Sequence, residues 1–250
     1  MNRIFVLICA TCLVAPSASA VTIAWTPVGN PGNAADTTVM NDGTSGYGSV
    51  AYNYSIDKYD VTNSQYVEFL NTKDASGADP LGLYNSGMSN PAYGGINYSA
   101  GNANGSKYSV MSGDGNHPVN AVTFYDTLRF ANWLNNGGKT NSDTESGAYT
   151  LQGGTPTPSN ANTITRSATA TIFLPSENEW YKAAYYDPRT TAQGGPPSDS
   201  HYWLYPTSSN TAPTSSFPTA TPNSANINSR TGRRITSAFV HNQRQIAGAV

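Results

Sequence analysis

Apolar residues along this chain come in short, separately capped bursts rather than long runs. In Asp60-Val61-Thr62-Asn63-Ser64-Gln65-Tyr66-Val67-Glu68-Phe69-Leu70-Asn71, the residues Tyr66, Phe69 and Leu70 stand at i, i+3 and i+4. That spacing places them on one helix face. Thr62 and Gln65 precede them with the three-residue offset of a capping box. A second burst runs from Thr123 to about Asn136, with Thr123 as cap, Asp126 in the first turn and Phe130, Trp133 and Leu134 as the stripe. Gly137-Gly138 ends it. The third is Leu174-Pro175-Ser176-Glu177-Asn178-Glu179-Trp180-Tyr181-Lys182-Ala183-Ala184. Here Ser176 and Glu179 form the box, Trp180, Ala183 and Ala184 are expected to face inward, and Pro188 stops the helix.

Strand signals are sparser. Val50, Tyr52, Tyr54 and Ile56 alternate across residues 50–58, as in a half-buried strand, and residues 169–174 are a compact β-prone run. Residues 93–112 are rich in Gly, Asn, Ser and Tyr, residues 137–162 are similarly polar, and both are expected to be long irregular insertions. Such loops are uncommon in compact domains and often form binding surfaces. The pattern predicts a mixed α+β domain with few regular elements, and 250 residues suffice for one conventional core.

Composition narrows the partners. Charged residues make up 11%, with 15 acidic against 13 basic, so no clustered basic face is available for nucleic acid. No second apolar run of membrane length follows the first residues, and no membrane association is expected after signal cleavage. Those first residues read as a secretory signal: Arg3 supplies the positive start, Ile4 to Val14 the apolar stretch, and Ala18-Ser19-Ala20 the small-residue cleavage site. The assigned units are a signal peptide at 1–20, a domain at 21–228 and a divergent basic tail at 229–250. The alternative for the leader is an uncleaved anchor. Both cysteines, Cys9 and Cys12, lie within it, so residues 21–250 contain no thiol for a disulfide, a metal or nucleophilic catalysis. Secretion or a periplasmic location follows from the leader.

Four stretches, in this order, are similar to the formylglycine-generating enzyme, or sulfatase-modifying factor, domain family. They are Asp57-Lys58-Tyr59-Asp60-Val61-Thr62-Asn63-Ser64-Gln65-Tyr66, then His117-Pro118-Val119-Asn120-Ala121-Val122-Thr123-Phe124-Tyr125-Asp126 continuing to Phe130-Ala131-Asn132-Trp133-Leu134, then the third helical burst, then Tyr202-Trp203-Leu204-Tyr205-Pro206. Pro27 to Asp36 resembles an exported bacterial subgroup. The resemblance implies a formylglycine-generating-enzyme fold, C-type-lectin-like, with low regular secondary structure. It also implies oxidation of a sulfatase cysteine to formylglycine, with calcium and copper as the family's metals. In the family, two cysteines near the C-terminus bind copper(I) and substrate. Soft thiolates suit that ion, and this chain offers none there.

The resemblance ceases after Ser224-Ala225-Asn226-Ile227, and the basic tail carrying Arg230, Arg233, Arg234 and Arg244 is unrelated. The fold is therefore expected to be incomplete at the C-terminus, through a truncation or a reading-frame shift near Asn228; a natural variant with its own tail is the alternative. Asn226 and Ile227 match positions where the family's calcium ligands begin, and the carboxylates a calcium site needs do not follow. No catalytic residue and no working cofactor are expected on the chain as it stands. Glu177 and Glu179 point to different sides of a helix, and Glu179 is already used by the cap. His117, His201 and His241 have no ligand spacing. Trp203 and Tyr205 are the candidates for stacking on a glycan or protein ligand, against a purely structural role. The functional reading is an exported sulfatase-modifying factor-like protein without oxidase activity. Its alternative is a lectin-like binding module.

Overall fold

The computed structural model describes residues 21–197, 200–216, 221–225 and 247–249. The signal-peptide assignment and the Asn226–Ile227 metal assignment lie outside these residues.

Each of the three helices starts where its capping box predicts. Helix α1 is Asn63–Lys73, α2 is Phe124–Asn135 and α3 is Glu177–Tyr185. In each, the cap side chain accepts from the third helical N–H while the third side chain reaches back to the cap N–H. Thus Gln65 Oε1 accepts from Thr62 N at 2.8 Å, Asp126 Oδ2 from Thr123 N at 2.9 Å and Glu179 Oε2 from Ser176 N at 2.6 Å.

Strand β1 (Trp25–Val28) pairs antiparallel with β2 (Tyr54–Asp57). The alternation expected across 50–58 is regular strand only over Tyr54–Asp57, where β1 pairs with it; Tyr52 lies before the strand and bonds Glu179. Residues 93–112 are less irregular than expected. They contain a hairpin of β3 (Ile96–Tyr98) and β4 (Tyr108–Val110), with Ile96 and Tyr108 buried beneath it. Strand β5 is Ile172–Phe173, β6 (Thr214–Ser215) and β7 (Ser224–Ala225) form a small parallel pair, and β8 is Ala247–Ala249. The main sheet runs β1-β2-β8-β5. Part of the stretch read as a divergent tail therefore contributes a strand to the interior of this sheet.

Helix α2 sits between two cores. Leu128 and Ala131 face the sheet residues Tyr54, Ile56, Phe173 and Ala247. Phe130, Trp133 and Leu134 face Tyr66, Phe69 and Leu70 of α1, where Phe69 lies 5.3 Å from both Phe130 and Trp133. This double packing explains why α2 is buried almost all round, including Arg129 and Asn132. Arg129 donates to Glu145 (2.6 Å) and to the carbonyls of Thr155 (2.7 Å) and Pro156 (3.0 Å), fastening the long 137–162 loop to the helix.

Helix α3 is buried on more than the expected face, where Trp180, Ala183 and Ala184 pack against core residues. Its fully buried residues are Glu179, Tyr181, Lys182 and Tyr185, while Trp180, Ala183 and Ala184 are half-buried. A third cluster, of Tyr181, Tyr185 and Tyr202, takes the far side of the helix and draws that side inward.

Candidate binding surface

The segment from Tyr202 to Pro206 runs back alongside the end of α3. Trp203 N donates to Tyr185 O at 2.9 Å, and Asp187 N donates to His201 O at 2.9 Å, so two backbone bonds fix its register. Side chains on this short stretch therefore alternate. Tyr202 turns into the third core cluster, where its hydroxyl receives Asn33 Nδ2 at 2.7 Å and donates to Ala34 O at 3.0 Å. Trp203 turns the other way and stays half-buried.

Asp187, just past α3, anchors the indole. Trp203 Nε1 donates to Asp187 Oδ2 at 3.1 Å, and Arg189 grips the same carboxylate through Nη2 (2.6 Å) and Nε (2.9 Å). The side-chain bond from Arg189 holds the Asp187 carboxyl down to about 2, with the Arg189 backbone N–H and the Trp203 indole adding to it against the opposing effect of burial. The one N–H of the indole is thus directed to Asp187. Tyr205 is held separately, its N–H donating to Ser209 O at 3.0 Å, and Leu204 between them is exposed. The structure thus places Trp203 and Tyr205 on one half-buried segment and gives each its own support. Sequence reading missed Asp187 and Arg189; the Asp-Pro-Arg sequence directly after the helix was the signal available.

Around this surface, His201 stacks loosely on Tyr186 at 6.3 Å between ring centres, and its buried Nδ1 has no hydrogen-bond partner among the described residues. Lys182 is buried beneath Tyr186, its Nζ donating to Asn30 O at 2.9 Å, and burial lowers its pKa. His117 has an exposed ring paired with Asp114 at 3.0 Å. Glu177 is exposed and Glu179 fully buried, so they do not form a carboxylate pair.

A sequence model of the sulfatase-modifying factor enzyme 1-like domain matches residues 29–232. The chain belongs to the sulfatase-modifying factor family. No curated protein and no solved structure gives a match. The family match spans all three helices and the Trp203 segment, so the four sequence stretches that suggested the family lie inside one matched region.

The family's metals meet different tests in this member. Copper(I) calls for thiolates, and the matched residues 29–232 contain no cysteine. The described residues hold no group of three or more His, Cys, Asp or Glu placed to bind a metal ion. The donor set therefore does not fit copper. No helix among the described residues is long and apolar enough to cross a membrane.

Proposed function

We propose that this is an exported sulfatase-modifying factor domain that does not oxidise cysteine. The observation that carries the reading is the absence of cysteine from residues 29–232, the whole of the family match. An oxidase that holds copper(I) and its substrate through sulfur has no ligand for either there. Export rests on the leader at residues 1–20, and cleavage after Ala20 is checked by sequencing the N-terminus of the secreted protein.

The oxidase question is tested by incubating the full chain with copper(I), oxygen and a sulfatase-derived cysteine peptide. The expected result is no formylglycine above a copper-only control. Turnover above that control overturns the proposal.

A second reading is supported by the anchored indole. A half-buried Trp203, fixed by Asp187 and flanked by exposed Leu204, suits stacking on a sugar or peptide within a lectin-like domain. Saturable binding on a glycan or peptide array, lost in Trp203→Ala, supports it; uniform silence across the array counts against it.

A further inference from the structure

The main sheet is built from strands far apart in sequence, and its third position is filled from the tail. Strand β8 lies between β2 and β5 and is antiparallel to both. Ala247 stands between Ile56 and Phe173, and Gly248 between Ser55 and Ile172. Without β8, both β2 and β5 present an open edge toward one slot, and an open edge is a template for any extended segment that fits.

The slot is selective about side chains. Ala247 is fully buried against the core that holds Tyr54, Phe173 and Leu128, so a larger residue there overpacks. Above Gly248 sits the ring of Trp25: a Cβ added at 248 would lie 3.7 Å from two of its ring carbons and 3.5 Å from Thr171 O. One methyl group is tolerated at that distance, and anything longer meets the indole. The opening therefore fits a segment with small residues at two successive positions and backbone bonding on both sides.

We propose that the gap between β2 and β5 is a strand-binding site for an extended segment with small residues at two successive positions, filled by this chain's own residues 247–249 and able to take the same segment from a separate molecule. Among the described residues of the tail, the three of β8 dock through backbone bonds. Because β8 belongs to the same chain as β2 and β5, its docking is intramolecular and independent of protein concentration. This linkage keeps the site filled in cis at ordinary protein concentration, and a free peptide has to compete with it.

The test uses the full chain and a fluorescein-labelled peptide of residues 244–250, Arg-Gln-Ile-Ala-Gly-Ala-Val. Gly248→Asp in the chain disables its own tail strand. By anisotropy, the Gly248→Asp chain is expected to bind the peptide at least 10-fold more tightly than the unsubstituted chain, and a peptide carrying the same Asp binds neither. No binding to the Gly248→Asp chain, or equal binding by both chains, overturns the proposal. If the Gly248→Asp chain lacks a cooperative melt alone, the peptide is added during the melt. Recovery of the transition supports the site, and no recovery overturns it.

Discussion

Arg166 and Glu179 form a forked pair at the start of α3, Arg166 Nη1 lying 2.9 Å from each carboxylate oxygen of Glu179. The same carboxylate closes the helix cap, and Tyr52 completes the node by donating to Glu179 Oε1 at 2.5 Å and receiving Arg166 Nη2 at 2.9 Å. Tyr54, beneath it, donates to the Glu179 carbonyl. One residue thus ties the helix, strand β2 and the segment before β5 together.

Glu179→Ala leaves the Arg166 guanidinium without its counter-charge and removes the reciprocal half of the capping box, the bond from Ser176 N. Since Arg166 retains partial solvent access, a loss of about 2–4 kcal/mol is expected. Urea denaturation of the two proteins measures it, and a loss under about 1 kcal/mol means that the node contributes little.

Arg129→Met keeps the volume near that of the native side chain and removes the bonds to Glu145, Thr155 and Pro156. Stability is expected to fall by about 3 kcal/mol. Amide exchange in residues 144–156 should accelerate more than in α1, because Arg129 fastens that loop. Uniform acceleration across both regions would indicate a general loss of packing instead.

Asp126 carries a pH signature. Burial raises its carboxyl to about 6, above the ordinary aspartate pKa of about 4. The folded state therefore holds a proton that the unfolded state has released between these values, so stability falls as pH rises from about 4 to 6 and then levels. The span corresponds to about 3 kcal/mol. Asp126→Asn should remove this slope, although it also weakens the cap. A native-minus-variant stability difference that stays flat from pH 4 to 7 would contradict the assignment.

Gly77 has a φ of +72°, and a Cβ there would stand 2.7 Å from the Tyr98 hydroxyl, which itself donates to Gly77 O. Gly77→Ala is expected to cost about 1–2 kcal/mol from the left-handed backbone alone, with a further loss as Tyr98 is pushed from Tyr84 and Tyr108. Thermal melts report the cost, and the ring resonances of Tyr98 report the displacement.

Asp187→Ala releases the Trp203 indole. The expected outcome is a shifted Trp203 Nε1–H resonance with less than about 1 kcal/mol lost, because the Arg189 partner is largely exposed. An unchanged resonance would show that the indole does not depend on Asp187 for its position.

Much of this fold was legible because its helices are locally determined. Thr62 with Gln65, Thr123 with Asp126 and Ser176 with Glu179 each close a box within four residues, and the stripes of α1 and α2 follow a fixed period. Where contacts come from distant residues, the pattern misleads. Tyr181, Lys182 and Tyr185 are buried by Tyr202, Asn33 and Asn30, and nothing within α3 announces those partners. The hairpin at Ile96 and Tyr108 was hidden because three-residue strands barely alternate. At the candidate surface, the aromatic segment stood out by composition, while the anchoring of Trp203 by Asp187 is a tertiary fact 16 residues away in sequence.

Strand β8 also bears on how the molecule is made. Ile56 and Ala247 are neighbours in the sheet but roughly 190 residues apart along the chain. At synthesis rates of about 5–20 residues per second, β2 waits roughly 10–40 s for the strand that covers its open side. Contacts of such long range also slow folding once the chain is complete. During that interval the Tyr54–Asp57 edge is exposed to other chains, and a cell producing this protein has to keep it unfolded or shielded until residues 247–249 arrive.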